Sequence, residues 1–320
     1  MQSLDKMTLN VALYMLKKQS CVAVDELMSV LGLGSNDLLN AIKVLRFAGF
    51  VVSECGGKGY RVVVEDDLRY AHEVVSGLGT RIRYGVHYVE QCSTTQDVAM
   101  DLAVRGAPEG TVVVCGEMWS GRGRMGRKWY APRGGLWFTL ILRPRSLSKL
   151  NLLTLATGVS VAKALNHLFN VDARVKWPND VVIEGKKVSG ALLEVKHVGE
   201  ELVALLGVGI NVNNDLPLEL EGYATSLKRV LGFPVPRTPI FVGILKSVDY
   251  YYSAIVEGDV GRIIGDWRLW SSTLGRYVRA VMASGVVEGR AVDVDESGAL
   301  LIDTGSGVVR VVEGDIIHLR

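Results

Sequence analysis

A basic, glycine-rich segment, GRGRMGRKW (121–129), is the part of the sequence best suited to chemistry. Its three glycines alternate with Arg122, Arg124, Arg127 and Lys128. Glycine lets a backbone approach a ligand closely, and guanidinium groups bind carboxylates and phosphates through paired hydrogen bonds. No acidic residue occurs from Met118 to Val171, so nothing within this stretch neutralises the charge. The segment predicts a loop that binds an anionic ligand, with a solvated basic loop as the alternative.

The same glycines also match the GxGxxG pattern of dinucleotide-binding loops. That pattern requires a helix beginning at the third glycine and an acidic residue about 20 residues later. Here the chain continues as KWYAPRGGLW, which contains a proline and two more glycines, and no acidic residue follows at that distance. The dinucleotide interpretation is therefore rejected.

Two more polar segments lie between predicted strands. KWPND (176–180) has a Pro-Asn-Asp sequence that forms turns readily, so a plain turn would explain it. The following hairpin, EGKKVSGALLEV, places Lys187 three residues before Gly190, where its ammonium group could reach a developing negative charge. GVGINVN (207–213) ends a strand at Asn211, whose amide suits a ribose or phosphate.

The surrounding sequence predicts an α+β fold in four parts. Residues 1–65 predict three short helices and a β-hairpin, the order of a winged helix-turn-helix. Residues 66–80 predict a connector with a short helix. Residues 81–270 predict a mixed, largely antiparallel sheet with helices packed on it, because short connections join its strands. Residues 271–320 predict five short strands separated by glycine turns, typical of a small β-barrel.

Composition sets limits without naming a function. A chain of 320 residues, 48% of them hydrophobic, is long enough for two or three domains. Its net charge of +2 is too small to indicate a charged partner. The sequence has no signal-peptide pattern and no apolar run of about 18 residues, so we expect a cytoplasmic protein without membrane attachment. We expect reduced thiols at all four cysteines, whose spacings fit neither zinc nor a redox pair: Cys21, Cys55, Cys92 and Cys115.

Taken together, these segments resemble biotin protein ligases. GRGRMGRKWYAPRGGLW is similar to the biotin-binding loop of that family, KWPNDVVIEGKKVSG to its nucleotide-binding and catalytic segment, and GVGINVN to its third segment. The two ends resemble the flanking domains of the bifunctional class, which also represses transcription. The resemblance implies a catalytic sheet like that of the biotin/lipoyl ligases and class II synthetases, followed by an SH3-like β-barrel.

The resemblance also implies an activity and its participants. The enzyme would form biotinyl-5'-AMP from biotin and ATP, with Mg²⁺ on the phosphates, and transfer biotin to a lysine of a biotin carboxyl carrier protein or domain. Operator DNA would be a second partner if the repressor function is present. A homodimer that pairs exposed sheet edges stays open.

Site residues follow from the same resemblance. For catalysis it implies Lys187, which would contact the biotin carboxylate, and Arg124, which would close over the adenylate. The residues implied for biotin binding are Ser93, Thr94, Gly121, Arg122, Gly123, Arg124, Lys187 and Gly190. The residues implied for ATP binding are Arg124, Arg127, Trp129, Lys176, Asn179, Asp180, Asn211 and Arg320. No protein ligand for a metal is implied.

One position departs from the family pattern. Three residues before the first loop glycine, the family usually has a glutamine that bonds the ureido group of biotin, and this chain has Met118. A thioether is only a weak acceptor and cannot donate. Because one hydrogen bond contributes on the order of 1 kcal/mol net, we expect affinity for biotin to fall several-fold while the reaction stays the same.

Two other functions stay open. A lipoate or octanoate ligase would share the catalytic fold, although those families have a different glycine-rich signature. A DNA-binding regulator that responds to the adenylate, with weak or no catalysis, would use SNDLLNAIKVLRFAG (35–49) as its recognition helix. Its candidate DNA contacts are Asn36, Asn40, Lys43 and Arg46. Residues 1–64 carry a net charge of only +2, so a winged helix kept as a structural module is an equal alternative.

Overall fold

Three β-sheets follow one another along the chain, and helices pack against the first two. The computed structural model describes residues 4–65, 68 and 71–319. In this described part the sheets have three, seven and five strands. The order of elements follows the α+β arrangement that the sequence predicts.

The N-terminal unit, residues 4–65, contains the three predicted helices and the hairpin. Its elements are α1 (Lys6–Lys18), β1 (Val22–Ala23), α2 (Val24–Leu31), α3 (Ser35–Phe47), β2 (Val52–Glu54) and β3 (Gly59–Val62). The Asp5 side chain caps α1 by accepting a hydrogen bond from the Thr8 amide at 2.8 Å. Apolar residues at helical spacing, such as Leu16 on α1 and Ile42 and Leu45 on α3, form the buried core between the helices. The short strand β1, which the sequence pattern did not predict, pairs with β3.

The prediction that all four cysteines are free thiols is wrong for two of them. Cys21 and Cys55 form a disulfide. Cys21 directly precedes β1 and Cys55 directly follows β2, and both strands pair with β3, so the sheet brings the two residues together. Their separation of 34 residues carries no local spacing signal, which is why the sequence did not indicate the bond. Cys92 and Cys115 are free thiols, as predicted, and both are buried.

The central sheet is mixed and largely antiparallel, as predicted. Its strands are β4 (Gly85–Cys92), β5 (Thr111–Met118), β6 (Leu136–Leu142), β7 (Ala173–Lys176), β8 (Asp180–Ile183), β9 (Lys186–Val198) and β10 (Glu201–Ile210). They lie in the order β4-β5-β6-β10-β9-β8-β7, and only the β4–β5 pair is parallel. All seven residues of β6, LWFTLIL, are buried, because helices cover both faces of the sheet.

The helices of this part surround the sheet unequally. They are α4 (Ala71–Ser76), α5 (Thr95–Val104), α6 (Leu152–Phe169), α7 (Leu227–Leu231), α8 (Thr238–Glu257) and α9 (Gly261–Trp270). α6 and α8 pack on the face that carries the large core, whereas α5 packs on the opposite face with a small apolar cluster of its own. By length and composition α6 could cross a membrane, but 78% of it is buried inside the fold, as expected of a core helix.

The C-terminal sheet contains the five predicted strands. They are β11 (Tyr277–Met282), β12 (Gly285–Val294), β13 (Leu300–Asp303), β14 (Val308–Val311) and β15 (Asp315–His318), in the order β14-β13-β12-β11-β15. The sheet is antiparallel throughout, and alternate residues such as Val278, Ala280 and Ile302 are buried. It is docked on the central part through the Trp177 indole, which donates to the Gly298 carbonyl at 2.9 Å.

We expect Cys55→Ser to lower the free energy of unfolding of the N-terminal unit by roughly 3 kcal/mol, because a cross-link that closes a loop of this length removes chain entropy from the unfolded state. Urea titration followed by amide hydrogen exchange in α1–α3 measures the change. Dithiothreitol should lower the free energy of unfolding of the wild-type protein to that of the variant, and it should leave the stability of the variant unchanged. Equal stability of all four samples would contradict a structural disulfide.

Candidate active site

A cavity of about 350 Å³ lies on the face of the central sheet that α5 covers. Side chains alternate along β10, so Val203 and Leu205 point to this face and pack on α5. The next two positions on the same face are Gly207 and Gly209, which have no side chain to fill the space. The cavity forms above these two glycines, where the strand is bare.

The start of α5 forms one wall of the cavity. Thr94 is the N-cap of the helix, and its hydroxyl accepts a hydrogen bond from the Gln96 amide at 3.4 Å. The capping places Thr94, Thr95 and Gln96 against the cavity, all of them buried. The preceding Ser93 does not line the cavity, and its hydroxyl lies 3.4 Å from the Asp97 carboxylate.

The basic segment folds back on itself as a tight loop. The Trp129 amide donates to the Gly121 carbonyl at 2.8 Å, and the Gly123 amide donates to the Arg127 carbonyl at 2.7 Å. At its tip Met125 and Gly126 have φ values of 56° and 71°, in the left-handed region. The loop is therefore not the start of an α-helix, which agrees with rejecting a dinucleotide site.

The Trp129 indole covers the bare strand. A Cβ atom at Gly209 would lie 2.6 Å from the indole ring, and one at Gly190 would lie 3.4 Å from it. Gly190 is the cross-strand partner of Gly209 on β9. The two glycines therefore let the ring approach the sheet, and its edge-on contact with Trp137, with ring centroids 6.1 Å apart, orients it.

Arg124 and Asn179 meet across the cavity. The Arg124 guanidinium donates to Asn179 Oδ1 at 3.3 Å. Asn179 is itself held by β9, because its Nδ2 donates to the Ala191 carbonyl at 2.6 Å. Burial lowers the pKa of Arg124, although Asp315 and Asp180 favour its charged form. A partly desolvated arginine that retains its charge is suited to binding an anion.

Two lysines and an aspartate share the same part of the cavity. Lys187 Nζ lies 2.6 Å from Asp180 Oδ1 and 5.2 Å from the centroid of a Trp129 ring. Burial lowers the pKa of Lys176, Asp180 raises it, and Lys187 lowers it further by repulsion. One carboxylate thus faces two ammonium groups, and this part of the cavity has an excess of positive charge.

The other two loop arginines are paired with acidic residues. Arg122 donates to Asp97 at 2.7 Å and to Glu194 at 3.2 Å, which anchors the loop to α5 and β9. Arg127 donates to both carboxylate oxygens of Asp315 on β15. This hydrogen-bonded arginine holds the pKa of Asp315 below its usual value. The loop is therefore tied to the C-terminal sheet as well as to the central one.

Most of the residues implied by the sequence come together here. Those that line the cavity are Thr94, Arg122, Gly123, Arg124, Arg127, Trp129, Lys176, Asn179, Asp180, Lys187 and Gly190. Gly121 backs the loop, where a Cβ would lie 2.5 Å from the Trp129 carbonyl oxygen. Asn211 lies outside the cavity, and its Oδ1 accepts a hydrogen bond from Asn214 Nδ2 at 3.1 Å. Arg320 falls outside the described residues.

Several cavity residues were not predicted from the sequence. They include Thr95, Gln96, Leu192, Gly207, Gly209 and Asp315. The two glycines fall within the segment GVGINVN, where they alternate with the buried residues Val208 and Ile210. This alternation could have predicted a strand with one apolar face and one face without side chains. Asp315 gave no signal, because the contact joins residues that are 188 positions apart.

A cavity with excess positive charge, set on a mixed sheet and closed by a glycine-arginine loop, defines a protein that binds an acidic ligand. The Biotin/lipoate A/B protein ligase family matches residues 88–211, and the Biotin protein ligase C-terminal domain matches residues 273–319. The bifunctional ligase/repressor BirA of Bacillus subtilis (strain 168) is 33% identical over 303 residues, which cover 92% of this chain and 93% of that protein. The chain belongs to the biotin protein ligase family.

Two further comparisons agree with this assignment. The biotin–[acetyl-CoA-carboxylase] ligase of Mycobacterium tuberculosis is 32% identical over 265 residues, covering 79% of this chain and 96% of that protein. Among solved structures, the biotin protein ligase from Aquifex aeolicus in complex with biotin and ATP superposes with a TM-score of 0.66 at 31% identity. That superposition covers 73% of this chain and 98% of the other.

We expect Gly209→Ala to weaken binding of biotin and ATP about tenfold, because an added Cβ would displace the Trp129 indole and overpacking typically costs about 1–3 kcal/mol. Calorimetric titration gives the affinities, and tryptophan fluorescence reports the movement of the ring. Gly265→Ala on α9 is the matched control, since a Cβ there meets no atom within 4 Å. Unchanged affinity and fluorescence in Gly209→Ala would show that the ring contact does not shape the site.

Proposed function

We propose that this protein attaches biotin to a lysine side chain of an acceptor protein in two ATP-dependent steps. The observation that carries the proposal is the graded character of the cavity. At the level of Gly207 its wall contains Leu192 and Gln96, whereas at the level of Gly209 the neighbouring strands present Gly190 and Asp180 with the lysines beside it. An elongated acid with an uncharged head and a carboxylate tail fits this gradient.

The chemistry needs no protein nucleophile. In the first step a carboxylate oxygen of biotin attacks the α-phosphorus of ATP, the bond from that phosphorus to the bridging oxygen breaks, and pyrophosphate leaves. In the second step the neutral amine of the acceptor lysine attacks the carbonyl carbon, the bond to the phosphate oxygen breaks, and AMP leaves as the nitrogen loses a proton. The protein must hold two anions together and exclude water, which is catalysis by positioning and charge.

The basic side chains supply that charge. We propose that Lys187 holds the biotin carboxylate against the α-phosphate and that Arg124 stabilises the charge that develops there. Both line the cavity, and the ion pair of Lys187 with Asp180 keeps its ammonium group beside the bare strand before substrate binds. Lys176 and Asn179 face the same region and are proposed to bind the nucleotide.

The remaining site assignments are proposals of the same kind. For biotin they concern Ser93, Thr94, Gly121, Arg122, Gly123 and Gly190, and for ATP they concern Arg127, Trp129, Asp180, Asn211 and Arg320. Contact with the cavity supports most of them. Ser93, Gly121 and Asn211 do not line the cavity, and Arg320 falls outside the described residues.

Magnesium fits the site in a limited way. Within the described ranges, no group of three or more His, Cys, Asp and Glu side chains could hold a metal ion. Mg²⁺ at nucleotide sites usually keeps water and phosphate oxygens and takes only one or two carboxylates. Asp180 and Asp315 line the cavity and meet that smaller requirement. We propose that the ion is bound together with ATP, where it neutralises phosphate charge.

The acceptor is proposed to be a biotin carboxyl carrier protein or domain, because the ligases most similar to this chain include one named for acetyl-CoA carboxylase. A cytoplasmic location is part of the proposal, as ATP is a substrate. A homodimer also remains a proposal. We also propose the domain limits 1–65, 66–80, 81–270 and 271–320, with a winged helix-turn-helix at the start and an SH3-like barrel at the end.

A second function, transcriptional repression, is supported by the exposed face of α3. Asn36, Asn40 and Lys43 are exposed at helical spacing on this face, and the relative from Bacillus subtilis is named a ligase/repressor. Arg46 differs from the other three, because its guanidinium donates to the Val52 carbonyl at 3.0 Å and lies 3.6 Å from Glu54. We propose that Arg46 attaches α3 to the hairpin and contacts DNA less than the sequence suggested.

The test of the ligase function is biotin-dependent exchange between ATP and pyrophosphate. We expect wild-type protein to catalyse exchange with biotin, and Lys187→Ala to lose about 100-fold or more, the usual effect of removing one group that stabilises developing charge. Lys186→Ala is the matched control, since Lys186 is the exposed neighbour on the same hairpin. Unchanged exchange in Lys187→Ala would remove its assigned role.

Controls with other acids decide the substrate class. Exchange with lipoate or octanoate but not with biotin would be consistent with the same fold and would show that biotin is not the substrate. Absence of exchange with every acid would favour a regulator that has lost catalysis.

For the repressor function we expect gel-shift binding to DNA from upstream of the protein's own gene, tightened by biotin and ATP. We expect Lys43→Ala to weaken binding by a similar factor for all DNA sequences, because a lysine contacts phosphate and not bases. The slope of log affinity against log salt concentration should fall by about one, since one counterion fewer is released on binding. Lys17→Ala on α1 is an exposed control on another helix. If no DNA binds at low salt, the N-terminal unit is a structural module.

A further inference from the structure

Gln96 lies in the first turn of α5. The NH₂ group of its side-chain amide donates hydrogen bonds, whereas its carbonyl oxygen has no partner among the described residues. The residue is 3% exposed and lines the cavity. Its Nε2 donates to the carbonyls of Leu192 at 3.3 Å and Leu205 at 3.5 Å. Because both partners are acceptors, the NH₂ group must face them, which fixes the orientation of the amide. Oε1 is buried and has no hydrogen-bond partner among the described residues.

The chain makes room for this amide. A Cβ atom at Gly207 would lie 2.9 Å from Gln96 Nε2, so a larger residue on β10 would push the side chain away. Leaving a buried acceptor without a partner is unfavourable, because its lost hydrogen bonds to water are not replaced. An amide held in a cleared space at this cost is what a binding site requires, because a ligand can then supply the missing donor.

The neighbouring Met118 cannot take this role. It lines the same cavity, and its sulfur lies 3.3 Å from the Thr95 amide nitrogen. A thioether has no donor and accepts only weakly. A side-chain amide for an uncharged head group on this wall is therefore supplied by position 96, beside the hydroxyl group of Thr94.

A complementary group lies in the same cavity. Trp129 Nε1 is also buried without a partner among the described residues, and it carries a donor. Among the uncharged side chains that line the cavity in the described ranges, one buried acceptor and one buried donor are thus unmet, whereas the carboxylate of Asp180 has its ion pair with Lys187. A urea offers both an N–H and a carbonyl group, whereas an alkyl chain or a dithiolane ring offers neither.

We infer that Gln96 is a specificity-determining residue, whose Oε1 accepts a hydrogen bond from a ureido N–H of biotin. The inference rests on the proposed function, because it assigns the residue that recognises the head group of that substrate. In this protein the side-chain amide for the ureido group comes from α5, while the strand position that precedes the loop carries a methionine.

A cycle of protein and ligand changes tests the hydrogen bond. The protein variant is Gln96→Met, and the ligands are biotin and its two lactam analogues, in each of which one ureido N–H is replaced by CH₂. We expect the variant to bind biotin about tenfold more weakly, and one of the analogues to bind the wild type weakly by a similar factor. Because both changes remove the same bond, that analogue and biotin should bind the variant nearly equally.

The inference would be overturned if, for both analogues, the loss from the protein change multiplied the loss from the ligand change. The weaker analogue would then bind Gln96→Met about 100-fold more weakly than biotin binds the wild type, because independent effects add in free energy. Binding of ATP to the variant should be unchanged and shows that the fold is intact. If Gln96→Met does not fold, Gln96→Asn, which withdraws the amide by one methylene, goes through the same cycle. A wild-type protein that does not bind biotin would instead refute the proposed function, so the two failures are distinguishable.

Discussion

The site depends on two backbone positions of β10 that carry no side chain. Gly207 and Gly209 point to the face of the sheet where Val203 and Leu205 are already covered by α5, so the apolar packing of that face stops in the middle of a strand. The Gln96 amide fits against the first glycine and the Trp129 indole against the second. A side chain at either position would collide with the group that lies against it and displace that group from the wall of the cavity.

Several of the cations around this cavity are already paired with carboxylates in the absence of a ligand. Lys187 is paired with Asp180, Arg127 with Asp315, and Arg122 with Asp97 and Glu194. An anionic substrate therefore exchanges one set of ion pairs for another, so its net gain is smaller than the number of cations suggests. Lys176 and Arg124, which burial shifts towards the neutral form, gain most from an incoming anion.

The sequence predicted the order of helices and strands from local signals, and it predicted most of the cavity residues through the resemblance to a known family. Alternation, helical spacing and glycine turns indicated the three parts in order, and the basic loop and KWPND stood out by composition. What it missed are contacts between distant segments. The bond from Cys21 to Cys55, the pair of Arg127 with Asp315 and the orientation of Gln96 against Leu192 all depend on how separate elements pack. Spacing along the chain has no bearing on such contacts.

The ion pair of Arg127 with Asp315 has a consequence for the chain as a whole. It joins the loop over the cavity to the last strand, so loop position and docking of the C-terminal sheet share one interaction. A ligand that draws Arg127 away from Asp315 makes the docking of the C-terminal sheet less favourable. By thermodynamic reciprocity, a partner that stabilises the docked sheet with this ion pair intact weakens that ligand by the same factor, whereas a partner that takes Asp315 from Arg127 strengthens it. Any partner that contacts β15 would thereby shift the equilibrium position of the loop.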